Sequence, residues 1–150
     1  MKTKTTLCVV AVLIPFFFTT PAAAHCEIPC GIYDDELRIK QIAEHAGTIE
    51  KSMKEIVKLS QENPINYNQL VRWISNKESH ADAIQYIVSQ YFLTQRIKSD
   101  AKQYADKLAV LHNILISAMK CKQTTDLDNV KKIRSLLKEF ETLYFGHSHQ

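Results

Sequence analysis

Residues 39–56 read IKQIAEHAGTIEKSMKEI, and in them Ile39, Ile42, Ala46, Ile49, Met53 and Ile56 recur at alternating steps of three and four. That spacing follows one face of an α-helix at 3.6 residues per turn, so the stretch predicts an amphipathic helix with its apolar side turned to a core. The Asn63-Pro64 pair bounds it. Proline disfavours helical backbone in the residue before it, so the helix stops at or before Asn63.

The same spacing continues along the chain. Leu70, Ile74, Lys77, Ala81, Ile84, Val88 and Tyr91 form a second stripe, with the aliphatic stem of Lys77 as its weak member and Asn66 or Asn68 as cap. The pattern turns polar over residues 95–100. Tyr104, Leu108, Leu111, Leu115 and Ala118 then make a third stripe, capped by Ser99 or Asp100. Val130, Ile133, Leu137, Phe140 and Tyr144 make a fourth, opened by a capping box of Thr125 with Asp128 and closed near Gly146. The chain has only three glycines and four prolines in 150 residues, with 45% hydrophobic and 23% charged content, which favours helices over sheets. The expected fold is all-α, an antiparallel four-helix bundle over about residues 35–144, preceded by an irregular amino-terminal hook.

The first 24 residues differ from the rest. Lys2 and Lys4 make a basic start, residues 5–18 carry no charge, and Pro21-Ala22-Ala23-Ala24 supplies small residues for cleavage. This is the pattern of a signal peptide over residues 1–24, cut before His25, and it predicts export to a periplasmic or secreted location. The apolar run is too short to span a bilayer, so no stable membrane association is expected after cleavage. Loss of the two lysines lowers a net charge that is only +3 at the outset, and no field remains to point to nucleic acid.

Cleavage at that bond would place His25-Cys26-Glu27-Ile28-Pro29-Cys30-Gly31-Ile32-Tyr33 at the new terminus. His25 would then offer a free α-amine as well as its ring, the amine having an unperturbed pKa of about 8. The amine, the backbone nitrogen of Cys26 and the Cys26 thiolate form consecutive chelate rings, and Cys30 can complete a plane of two nitrogens and two sulfurs. Such a plane suits Ni(II) or Cu(II) better than tetrahedral zinc. Nickel is preferred because thiolates reduce Cu(II). The His25 ring can bind axially, and anionic donors favour a higher-valent nickel. Read from the residues alone, a Cys26–Cys30 disulfide in an exported, non-enzymatic bundle stands beside the metal site, as does a nickel or copper carrier.

The segment resembles the nickel hook of the nickel superoxide dismutases, whose pattern is His-Cys-x-x-Pro-Cys-Gly-x-Tyr. The resemblance continues in Asn68-Gln69-Leu70-Val71-Arg72-Trp73 and Asn76-Lys77-Glu78, which are similar to the marine branch of that family, and covers residues 25–144. It implies that His25, Cys26 and Cys30 are the metal ligands, with one nickel per subunit, and that Tyr33 is a catalytic residue gating the open face. It further implies disproportionation of superoxide to oxygen and hydrogen peroxide through Ni(III)/Ni(II) cycling, in a homohexamer. Glu27 stands where an aspartate is common, at a position that is not a ligand. Asn76 and Glu78 lie in the region from which the family orients the axial imidazole.

The remaining polar residues carry plainer expectations. Arg38, Lys40 and Lys54 form a solvated helix face, and His45, His80 and His112 are surface or satisfied core residues. Trp73 packs, Cys121 is a small buried hydrophobe, and His147 and His149 belong to a polar terminus.

Overall fold

The computed structural model describes residues 31–146. The chain divides after Tyr33 into two units, and the second, from Asp34 onward, is the helical body. It contains α1 (Asp35–Ser60), α2 (Tyr67–Tyr86) running directly into a π-helical segment (Ile87–Arg96), α3 (Tyr104–Gln123) and α4 (Asp128–Phe145). Among the described residues there is no strand, and no helix is long and apolar enough to cross a membrane.

Cross-helix pairs set the direction of every neighbour. Ser52 meets Asn76 and His45 meets His80, so α1 and α2 are antiparallel. Lys77 reaches the carbonyl of Lys122 and Gln85 that of Leu115, which runs α3 against α2. Arg134 bonds Glu50 and Tyr144 bonds Asp35, which runs α4 against α1, and Lys107 lies over the Tyr144 ring, which runs α3 against α4. The four helices therefore close an up-down-up-down bundle.

The expected stripe of α1 is buried along its whole length, from Ile39 to Ile56. Asp34 caps this helix, its carboxylate accepting from the Leu37 amide at 2.9 Å, and the helix ends at Ser60, before the cis Asn63-Pro64 bond. The α4 stripe is equally well read: Val130, Ile133, Leu137 and Phe140 are buried, and Gly146 ends the helix at φ +80°, where a side chain would be strained. Phe92, Phe140 and Tyr144 meet ring against ring in the core.

Two stripes need correction. In α2, Asn66 is the cap, but the first turns stand away from the core. Leu70 is only half-buried, and Tyr67, Val71 and Ile74 are exposed. Lys77, the weak member, is by contrast 4% exposed, because its ammonium reaches the Lys122 carbonyl at the end of α3 and pairs with Glu78 at 3.1 Å. In α3 the buried line is Lys107, Val110, Leu111, Ile114, Ser117, Ala118 and Cys121, so Tyr104, Leu108 and Leu115 fall at its rim.

The helix starts also differ. Neither Ser99 nor Asp100 caps α3; Gln103 does so in the left-handed region, at φ +56°, with no side-chain hydrogen bond. The Thr125–Asp128 box does not form. Leu127 is the capping position, while Thr124 and Asp126 accept backbone N–H groups of the preceding turn.

The π-helical segment was not foreseen. Over Ile87–Arg96 the backbone turns more widely than an α-helix, and side chains take up carbonyls five residues back: Thr94 Oγ1 donates to Ser89 O, and Gln95 Nε2 to Gln90 O. The wider turn places Ile87, Val88, Tyr91 and Phe92 all against the core.

Candidate metal centre

His25, Cys26 and Cys30 lie outside the described residues, as do the 1–24 leader and the His147 and His149 tail. Tyr33 is described and partly exposed. Two residues before it Gly31 has φ +79°, a left-handed turn that glycine adopts without strain, immediately after the second cysteine. The donor chemistry remains what the sequence states: two potential thiolates, an imidazole and, after processing, an amine. Thiolate with nitrogen donors fits nickel well.

The helical body begins one residue after Tyr33, and its amino-terminal corner is tied tightly. Asp35, in the first turn of α1, accepts from Tyr91 Oη at 2.6 Å, Tyr144 Oη at 2.8 Å, and Arg96 through Nε at 2.8 Å and Nη2 at 2.7 Å. The forked Arg96 contact is the bidentate geometry that carboxylates bind best. Burial by itself would raise the Asp35 pKa, but the hydrogen bonds from Arg96, Tyr91 and Tyr144 outweigh it and hold the carboxyl below its ordinary range. Tyr144 responds in the other direction, pushed up to about 12 by burial and by its bond to the carboxylate. Tyr91 is raised by the same causes. One carboxylate thereby joins the start of α1, the end of the π-helical segment and the end of α4.

The proposed steering residues are occupied. Lys54 pairs with Glu50 at 2.5 Å, Lys40 lies 4.0 Å from Glu36, and Arg38 lies over the Tyr91 ring at 5.1 Å while donating to Gln41 at 2.9 Å. This is the ordinary solvated face that the sequence suggested. Asn76 donates to Ser52 Oγ at 2.9 Å and Glu78 pairs with Lys77, so both are engaged within the helical body. Trp73 does not pack in the core. It borders a cavity of about 390 Å³ with Thr48, Lys51, Gln69, Arg72 and Asn76, with the Lys51 ammonium 5.7 Å from its ring. Cys121 is fully buried, as expected, and burial pushes its thiol up to about 11, far from a reactive thiolate.

Sequence reasoning missed two polar clusters. Asp35, Tyr91, Arg96 and Tyr144 are up to 109 positions apart and share no motif. His45 and His80 bring their Nδ1 atoms to 2.9 Å. A signal for the second was available, since each histidine directly precedes an alanine of its helix's stripe, Ala46 and Ala81, and so flanks the same interface.

Comparison with known proteins agrees with this arrangement. The family model described as nickel-containing superoxide dismutase matches residues 20–148, which takes in both the cysteine-bearing segment and the whole helical body. No curated protein and no solved structure matches the chain.

Proposed function

The chain belongs to the nickel-containing superoxide dismutase family, and from that premise we propose that His25, Cys26 and Cys30 hold its nickel at an amino terminus made by cutting the Ala24–His25 bond. The protein is a nickel-dependent oxidoreductase with superoxide as substrate. Two superoxides and two protons become one dioxygen and one hydrogen peroxide. The family match sets an enzyme above the carrier and the disulfide-bonded bundle considered from the residues alone.

The observation that carries the ligand assignment is the nine-residue run from His25 to Tyr33, which supplies every donor within six residues and lies inside the matched region. The Cys26 and Cys30 thiolates and the terminal nitrogens would hold the metal, and His25 adds its ring. Nickel in that donor set supplies a one-electron couple that aqueous nickel does not reach. Pro29 and the left-handed Gly31 support a turn that returns Cys30 toward Cys26. Tyr33 is the gate, its hydroxyl ordering a small anion or water beside the metal. The Asp34 cap and the Asp35 cluster give the segment a rigid base, since the helix beginning there is held by three other parts of the chain.

The same reading includes export by a cleaved leader, followed by assembly into a homohexamer. The exposed Tyr67, Val71 and Ile74 are apolar surface that assembly would cover. The test is one sample on which the mature amino terminus, metal content and superoxide removal are all measured. The expected result is a start at His25, one nickel per chain, and loss of both nickel and activity in Cys30→Ser. An active protein that begins at Ala24, or an active Cys30→Ser variant, overturns the assignment.

A further inference from the structure

The α1–α2 interface holds two imidazoles that the activity does not use. His45 Nδ1 and His80 Nδ1 are 2.9 Å apart, the ring centroids 4.9 Å apart, and the ring planes inclined at 64°. Both residues are half-buried, so the rings are anchored by their helices yet reachable from solvent. A single proton suffices to join two such nitrogens, and a metal ion can take its place. We propose that His45 and His80 form a second metal site, separate from the hook, which takes one late first-row divalent ion, Ni(II) or Cu(II), in exchange for the proton between the rings.

The spacing selects the ion. Imidazole nitrogen binds such metals at about 2.0–2.1 Å, and two nitrogens 2.9 Å apart then subtend about 90° at the ion. That is the cis angle of square-planar and octahedral coordination, whereas a tetrahedral ion would require nitrogens about 3.4 Å apart. Late divalent ions with a preference for imidazole and for right-angled geometry are Cu(II) and Ni(II). Among the described residues no third His, Cys, Asp or Glu joins the pair, so water completes the coordination. His45 borders a shallow cavity of about 680 Å³ shared with Gln41, Ser79 and Asp82, whose oxygens can hold that water. The charged groups around the pair are Glu44 beside His45 on α1, Asp82 on α2, itself paired with Lys122 of α3, and Arg38 at the cavity wall. Burial, and then the neighbouring His80, hold His45 below the ordinary imidazole range, which keeps its lone pair available near neutral pH.

Two arms test this independently of which residues hold the catalytic nickel. In the first, a full chain carrying His25→Ala, Cys26→Ser, Cys30→Ser, His147→Ala and His149→Ala is titrated calorimetrically with Ni(II) and, separately, with Cu(II). The expected result is one equivalent per chain, with binding at least tenfold weaker when either His45→Gln or His80→Gln is added and helical circular dichroism is retained. In the second, nickel-loaded enzyme with an intact hook receives one further equivalent of Cu(II), and pulsed electron paramagnetic resonance counts the coupled imidazoles. Two couplings support the site. Absence of saturable binding, binding unchanged by both glutamine substitutions, or fewer than two imidazole couplings overturns it and leaves the pair a proton-sharing structural contact.

Discussion

The two ends of the bundle solve the problem of a buried charge in opposite ways. At the end where α1 begins, Asp35 is surrounded by donors from the π-helical segment and α4, and a bidentate arginine neutralises it. Toward the other end, Lys77 is just as deeply buried but spends its ammonium on a backbone carbonyl and a half-exposed glutamate, while α2 beside it opens with apolar residues facing outward. The first arrangement ties distant segments to one point. The second closes the end of one helix and leaves its surroundings free to meet another surface. The contrast indicates where the bundle must be rigid: beside the segment that carries the ligands.

Removing the hub should break that contrast most severely. Asp35→Ala strands Arg96 and two tyrosine hydroxyls, and a loss of about 3–5 kcal/mol is expected in urea unfolding, the cost of breaking a buried pair by deleting one partner. The pH dependence sharpens the point. Because the folded carboxyl has its pKa depressed, its contribution is complete above the unfolded carboxylate value and disappears as pH falls through the folded one. Asp35→Asn should therefore flatten part of the acid limb of a stability–pH curve; an unchanged limb would mean that Asp35 is no anchor.

At the other end smaller effects are expected. Lys77→Met leaves the Lys122 carbonyl without its ammonium donor but keeps the aliphatic packing, and about 1–2 kcal/mol should be lost, read from the same unfolding midpoints. Asn66→Ala removes the α2 cap, at about 1 kcal/mol. Val71→Ser should change the stability of a dissociated chain by less than about 0.5 kcal/mol. If the homohexamer covers this face, the same substitution lowers the assembled mass seen in light scattering, and the two ends then differ in function as well as in packing.

What could be read from the sequence follows the range of the forces involved. The α1 and α4 stripes are local periodicities backed by a full core, and both lie where the spacing put them. The opening of α2 failed because Leu70 and Ile74 have the right spacing without a neighbour to bury them. The α3 stripe was rotated because Lys107 and Ser117, polar by type, are buried, whereas Tyr104 stays at the surface. The caps at Gln103 and Leu127 could not be read because neither uses a side chain. The site divides in the same way. Its ligands are contiguous and stand in the sequence as a word, whereas the Asp35 cluster is assembled from segments 56 to 109 positions away and exists only after folding.

The π-helical segment has a consequence for the length of the chain. A stretch that pairs five residues back holds one residue more than an α-helix needs to pass the same neighbours, and such a surplus arises from an insertion. Removing any one residue between Ile87 and Arg96 would let the helix rewind and turn everything beyond it by about 100° around its axis. Arg96 would then leave the azimuth at which its guanidinium meets Asp35. The surplus residue acts as a phase setting, and the corner next to the hook depends on the number of residues before Arg96 as much as on their identity.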